Sequence, residues 1–274
     1  MDKAYILDTN LPAIYSENVN LKNAEHLLRR LSNDTLTILS TNAWYDQAIQ
    51  ICQLLDIKNI DIVSGAGSCL KKHYDNHFFY ESFLNKNDVD LILHLAVSSF
   101  SGVLVKGQWR DEPNSNVLLN YFLSVQTANQ FKSVWKLNFP INNDYLLFEK
   151  NLEKLDVSEI YVYSSGQSFN SKFLKNDNEP NDLIKECNLN IVHFFDNLYL
   201  FNSKTASKFK MISNYLDQLG IPLKDVTYIS LKEFDSNARN AYGKIIIPED
   251  SEIVTGNTSF ITYNSKRLDE ILDK

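Results

Sequence analysis

An acid, a hydroxyl, an ammonium group and a second acid recur along this chain, each at the end of a strand-like run or the head of a helix. Asp8 closes the apolar run Ala4-Tyr5-Ile6-Leu7, and Thr41 follows the β-rich residues 35–40. Lys208 opens an amphipathic segment, and Asp235 lies in the loop after residues 226–230. In an open α/β sheet, ligands and chemistry collect outside the carboxyl ends of the strands. Such a set suits a phosphoryl group: the carboxylate attacks phosphorus, hydroxyl and ammonium hold the equatorial oxygens, and Mg²⁺ offsets the repulsion between anions. A carboxylate ending a buried strand has few structural uses, although capping the next loop is one.

The elements that must position these groups follow from periodicity. Ala24, Leu27, Leu28 and Leu31 fall at i, i+3, i+4 and i+7, which predicts a helix over 23–31. Residues 35–40 read as a second strand, and Trp44, Ala48, Ile51, Cys52 and Leu55 mark one face of a second helix. Residues 59–64 read as a third strand, closed by Gly65-Ala66-Gly67. Strand, helix, strand, helix, strand is the grammar of a parallel sheet with right-handed crossovers. That grammar changes after residue 80. Strands are expected at 77–80, 101–105, 133–137 and 159–163, with helices at 89–97 and about 145–155. Residues 111–116 and 166–181 are polar and turn-rich. The first pattern resumes with a hairpin over 191–201, then the helix opened by Lys208 and stopped by Gly220 and Pro222. Apolar strands follow at 226–230 and 244–247, and a last helix at 267–272. The expected division is therefore a discontinuous core of residues 1–80 and 187–274, interrupted by an inserted α+β domain of residues 81–186.

Competing chemistries are poorly served. Gly65 and Gly67 lack the rest of a dinucleotide fingerprint, since position 70 is Leu, so a plain strand-to-loop turn is the better reading. The five histidines share no metal-ligand spacing, and Ser164-Ser165-Gly166 lacks the nucleophile elbow. A net charge of −7 argues against a broad nucleic-acid or anionic-membrane surface, so the 14 Tyr and 16 Phe read as core and not as a stacking platform. No apolar run approaches the roughly 18 residues of a membrane span, and the start has no signal-peptide blocks. Three widely spaced cysteines read as reduced thiols, and the expected location is the cytoplasm.

The order and spacing resemble the haloacid dehalogenase (HAD) superfamily, specifically Cof-type phosphatases with a C2 cap. The family opens with D-x-D-G-T, and this chain reads Asp8-Thr9-Asn10-Leu11-Pro12. Its A-T-G-R-P-Y-x-Q-A motif is met by Ser40-Thr41-Asn42-Ala43-Trp44-Tyr45-Asp46-Gln47-Ala48, and T-S-N-G-A by Val63-Ser64-Gly65-Ala66-Gly67. S-K-G-T-A-L before L-G-I is met by residues 207–212 and Leu219-Gly220-Ile221, and the G-D-G-x-N-D loop by residues 230–235. The resemblance spans nearly the whole chain. It implies a doubly wound, Rossmann-like parallel-sheet core with an inserted α+β C2-type cap.

What the resemblance implies for the site is mixed. Asp8 keeps the nucleophile, with Thr41 and Lys208 beside it in the catalytic set, and Thr41, Asn42 and Lys208 would bind the phosphate. Asn10 stands at the general acid–base position, where it keeps a backbone carbonyl ligand but cannot shuttle a proton. Leu231 stands where the family places a metal-ligating aspartate, leaving Asp8, Asn10, Asp235 and Glu233 (as a substitute) to hold Mg²⁺. Lost acid–base help alone typically costs about 10²–10⁴-fold in rate. Pro12 and Ala43 also depart from the pattern. The expectation is a HAD-like phosphohydrolase fold acting on or binding a small phosphorylated metabolite, with phosphatase activity weak or lost. The alternative is a non-catalytic binder of a ligand or partner that keeps the fold.

Overall fold

A computed structural model describes residues 4–9, 29, 31, 35–54, 56–135, 139–164, 174–176, 179–180, 187–194, 198–230, 241–248 and 260–263. The chain divides into one unit formed by Met1–His77 with Ser207–Lys274, and a second formed by Phe78–Ala206.

In the first unit, β1 (Ala4–Thr9), β2 (Leu36–Thr41) and β3 (Asp61–Ser64) run parallel, with β1 beside β2 and β2 beside β3. The helix α1 (Tyr45–Leu54) connects β2 to β3. Its Ala48 and Cys52, one turn apart, pack with Leu7, Leu39, Ile62 and Ile229 in one buried cluster. A short antiparallel β4 (Cys69–Lys71) returns along β3. Of the helix expected over 23–31 only Arg29 and Leu31 are described, the latter buried.

The second unit opens with β5 (Phe78–Tyr80) and α2 (Lys86–Ser98), whose Asn85 cap accepts the Asp88 N–H. A long hairpin follows, β6 (Gly102–Trp109) with β7 (Glu112–Tyr121), and then α3 (Val125–Trp135) and α4 (Tyr145–Leu152). The chain continues through β8 (Leu155–Tyr163), the small ladder of β9 (Leu174–Asn176) with β10 (Glu179–Pro180), and the hairpin of β11 (Leu189–His193) and β12 (Leu198–Ser203). Five of these strands form an antiparallel sheet in the order β11-β12-β8-β6-β7. One face is apolar: Val103, Val105, Ile160, Val162 and Phe201 pack with Val89, Ile92 and Leu93 of α2 and Phe148 of α4.

The first unit then resumes with α5 (Lys208–Gln218), β13 (Val226–Ser230), β14 (Lys244–Pro248) and β15 (Ile261–Tyr263). All three strands extend the parallel array, giving the order β15-β14-β13-β1-β2-β3-β4. Because β1 lies between β13 and β2, Asp8 is delivered to the middle of the sheet.

Four expectations need correction. The hairpin of β11 and β12 was assigned to the core at 187–274, but β12 pairs with β8 and the segment belongs to the second unit. Local alternation predicts a hairpin equally well in either sheet, so sequence pattern could not choose. Residues 133–135, expected to start a strand, end α3 instead. There Ala128 and Phe131, three apart and both fully buried, override the β preference of the Val-Trp pair. Polar residues 112–116 form the outer half of β7, an edge strand, which tolerates Pro113 and solvent-facing polar groups. Leu155 begins β8 and does not end the preceding helix. The helix expected at 267–272 lies outside the described residues.

Candidate active site

Register fixes which groups share a face. Asp8 pairs with Ser40 on one side and Ser230 on the other, and Ile38, two residues before Ser40, pairs with Asp61. Side chains alternate along a strand, so Asp8, Ser40, Ser230 and Asp61 all project from the same side of the sheet. The helix α5 meets that side: its Lys208 reaches Asp8, and its Tyr215 hydroxyl donates to Asp61 Oδ2 at 2.6 Å.

The Asp8 carboxylate is the centre. Its side chain is 2% exposed, and Lys208 Nζ donates to Oδ1 at 2.7 Å. The second oxygen, Oδ2, accepts from the Tyr228 hydroxyl. Tyr228 stands on β13 two residues before Asp8's register partner Ser230, and therefore on the same face. Its ring stacks on Tyr242, centroids 5.3 Å apart and planes within 6°. Tyr242 in turn meets Phe209, the residue after Lys208, edge to face at 5.9 Å. An aromatic column thus links the strand that holds Tyr228 to the first turn of the helix that holds Lys208.

Lys208 owes its place to two local features. Ser207 is the N-cap of α5, accepting the Lys210 N–H at 3.4 Å. Gly67, at φ +95°, lets the helix start approach: a Cβ there would stand 2.2 Å from Ser207 C and 2.3 Å from Lys208 N. The turn at 65–67 is a seat for backbone, which is a closer definition than a plain strand-to-loop turn.

Thr41 ends β2, pairs with Thr9 and is fully buried. Its Oγ1 accepts the Ala43 N–H at 3.1 Å, bending the chain toward α1. Asn42, half-buried, sits in that bend. Asp8 and Lys208 are therefore in contact, with Thr41 one strand across and one residue further on. Asn10, Glu233 and Asp235 lie outside the described residues, as does Leu231. Among the described residues no three His, Cys, Asp or Glu side chains gather as a metal site.

Oxygen chemistry nonetheless suits Mg²⁺ here. Asp8 is a carboxylate, and Ser40, on the same face, has a buried hydroxyl with no hydrogen-bond partner among the described residues. A metal ion held by Asp8 would have to compete with the Lys208 ammonium and the Tyr228 hydroxyl for its oxygens. Sequence reasoning missed Tyr228. Its signal was a single tyrosine in the otherwise compact run Val-Thr-Tyr-Ile-Ser, two residues before the strand end. His73 Nδ1 lies 2.8 Å from Asp61 Oδ1, and its backbone N–H donates to the same oxygen.

The chain is 31% identical to the uncharacterized protein MG374 homolog of Mycoplasma pneumoniae, over 72% of this chain and 71% of that protein. It is 26% identical to the uncharacterized protein MG374 of Mycoplasma genitalium, over 89% of this chain and 88% of that protein. No protein-family model matches. A haloacid dehalogenase-like hydrolase from Bacteroides thetaiotaomicron superposes with a TM-score of 0.68 at 12% identity, over 99% of this chain and all of that one. The HAD subclass IIB sugar phosphatase BT4131 superposes with a TM-score of 0.64 at 10% identity, over 98% and 95% of the two chains. The parallel sheet, the inserted α+β unit and these superpositions agree, and the chain belongs to the MG374 family and has a HAD-like fold.

Proposed function

We propose that this protein binds a small phosphorylated metabolite at Asp8, Thr41, Asn42 and Lys208, and hydrolyses it slowly or not at all. The observation that carries this reading is the engagement of both Asp8 oxygens, one by Lys208 and one by Tyr228. Hydrolysis through Asp8 would form a bond from its oxygen to phosphorus and break the bond to the leaving oxygen. That oxygen then needs a proton, which the amide at Asn10 cannot give. Tyr228 adds a second obstacle, because its hydroxyl occupies a carboxylate oxygen that would have to attack phosphorus. The sugar-phosphatase neighbour supports a phosphorylated small molecule as the ligand class.

Mg²⁺ belongs to this reading, with Asp8, Asn10, Glu233 and Asp235 as its protein ligands. When bound, it would screen the carboxylate from the phosphate. The Lys208 ammonium, 14% exposed and already against Asp8, holds an incoming phosphate oxygen by charge and hydrogen bonding. In this reading Thr41, whose Oγ1 accepts from Ala43, would contribute its hydroxyl hydrogen to the phosphate. The non-catalytic alternative is favoured by the same Asp8–Tyr228 contact. A cytoplasmic setting goes with the reading; Cys52, Cys69 and Cys187 are free, and among the described residues no helix is long and apolar enough to cross a membrane.

The test pairs hydrolysis with binding. An aryl phosphate with excess Mg²⁺ is expected to turn over near background in both wild type and Asp8→Asn. Inorganic phosphate is expected to bind wild type and to bind Lys208→Gln at least tenfold more weakly. A robust Mg²⁺-dependent rate abolished by Asp8→Asn overturns the claim of weak activity. Phosphate binding unaffected by Lys208→Gln overturns the site.

A further inference from the structure

At one end of the second unit's sheet, large apolar side chains stand in solvent. The register brings the segments that carry them together: Gly102 opens β6, Tyr121 closes β7, and Val103 lies opposite Tyr121. Gly102 packs under the Phe122 ring, where an added Cβ would stand 2.1 Å from a ring carbon. The Phe122 N–H donates to the Asn142 carbonyl at 3.0 Å, and the Tyr121 ring meets Tyr145 edge to face at 5.2 Å. Residues 100–102, 121–125 and 142–147 are therefore neighbours. Their exposed members are Phe100, Leu123, Val125, Tyr145, Leu146 and Leu147, with Leu146 75% and Phe100 68% open to solvent. A single exposed leucine is ordinary, but these six amount to roughly 600 Å², the upper end for the largest apolar patch on a monomer.

Phe100 is the residue that folding alone explains least. The helix α2 ends in a Schellman arrangement: the Phe100 N–H donates to the Val97 carbonyl and the Ser101 N–H to the Ala96 carbonyl, both at 3.0 Å. The residue after the cap must then take a positive φ, and Phe100 sits at +55°. Glycine meets that demand without steric cost, whereas a bulky side chain strains the backbone. The strained residue here displays an aromatic ring to water. Charge and area point to what covers it. Residues 98–101, 122–126 and 142–147 carry a single charged residue, Asp144, whose carboxylate caps α4 by accepting the Leu147 N–H. A charged partner finds little to pair with there. A second copy, despite a net charge of −7, meets almost no like charge at the contact. A standard interface takes about 800 Å² from each partner, and this patch supplies most of that area in apolar form.

We propose that this surface pairs the protein with a second copy of itself about a two-fold axis. The contact is isologous, so one patch serves both chains, and Phe100 and Leu146 of each pack against the apolar side chains of the other. The pairing is independent of the phosphate site, since every residue involved lies within the second unit.

The test is sedimentation velocity of the full chain from low micromolar to submillimolar concentration. Wild type is expected to pass from monomer to dimer and stop there, with a thermal midpoint that rises with concentration. Leu146→Asp should raise the dimer dissociation constant about tenfold or more and flatten that dependence. Phe100→Gly should do the same, yet at low concentration its midpoint should be at least as high as that of wild type, because glycine relieves the backbone. Leu219→Asp, at an exposed apolar position in the first unit, and Asp8→Asn should dimerise as wild type does. A wild type that stays monomeric, a dimer that survives both patch variants, or equal loss of the dimer in Leu219→Asp overturns the proposal. So does association that grows past the dimer without a plateau. A monomer that instead floats with phosphatidylcholine vesicles also overturns it, and would assign the surface to lipid.

Discussion

The Tyr228 hydroxyl and the Lys208 ammonium between them hold both oxygens of a carboxylate that is nearly sealed from solvent. Removing either partner leaves different debris. Lys208→Met strands a buried negative charge, and breaking such a pair is expected to cost about 3–5 kcal/mol in urea unfolding. Tyr228→Phe removes one hydrogen bond to a charged acceptor, a loss of about 1.5–3 kcal/mol. Asp8→Asn should cost less than Lys208→Met, since the amide is neutral and its carbonyl still accepts from Tyr228. The reverse order would mean that Lys208, only 14% exposed, finds no other partner when the Asp8 charge is gone. At this scale the sequence was informative where a motif residue had to contact another. Asp8 and Lys208, 200 positions apart, could be paired from the order of elements alone. Tyr228 could not, because a tyrosine in a buried strand reads as core until the register shows which face it shares.

The elements carry the site through close approaches. At Gly67 the start of α5 presses on the turn after β3, where no Cβ fits. Gly67→Ala is expected to destabilise by at least the roughly 1–3 kcal/mol of a strained backbone position, and to weaken phosphate binding by moving Lys208. A stable variant with unchanged phosphate affinity would show that the helix can shift without consequence. The helix α1 offers a pH test. Burial pushes the Cys52 thiol up to about 12, and burial with the nearby Asp46 pushes the Tyr45 phenol up to about 12. Both groups ionise more readily in the unfolded chain, at about 9 and about 10. Their contribution to stability is therefore complete below those values and is lost as pH rises toward about 12. Urea midpoints should fall between pH 9 and 11, and less steeply in Cys52→Ala. Strand and helix periodicity gave most of these elements. It failed at β7 and at the end of α3, where an edge position and two buried residues one turn apart decide the outcome.

At the scale of the whole chain, two separate apolar cores stand in the two units, one around Leu7, Leu39 and Ile229, the other around Val105, Ile160 and Phe201. Large-to-small changes in each should be felt locally. Leu39→Ala and Ile160→Ala are each expected to cost about 2–5 kcal/mol and to shift different parts of a thermal transition, resolved by amide exchange mapped to each unit. A single cooperative shift for both would mean that the units unfold as one. The insertion itself was legible from the break in alternating strands and helices. Its far boundary was not, because the β11–β12 hairpin looks alike from sequence whichever sheet receives it.

The helix α5 is tied down twice, at its first residue through Lys208 to Asp8 and two turns later through Tyr215 to Asp61, which also fastens His73. A lineage that ceased to hydrolyse phosphate would gain nothing from discarding Asp8, because folding would penalise the loss of the tie. Natural selection for stability alone is then sufficient to keep a nucleophile in place long after its reaction has gone. Among descendants of such an ancestor, the retained aspartate records architecture, and the neighbouring positions that bear no structural burden record the chemistry.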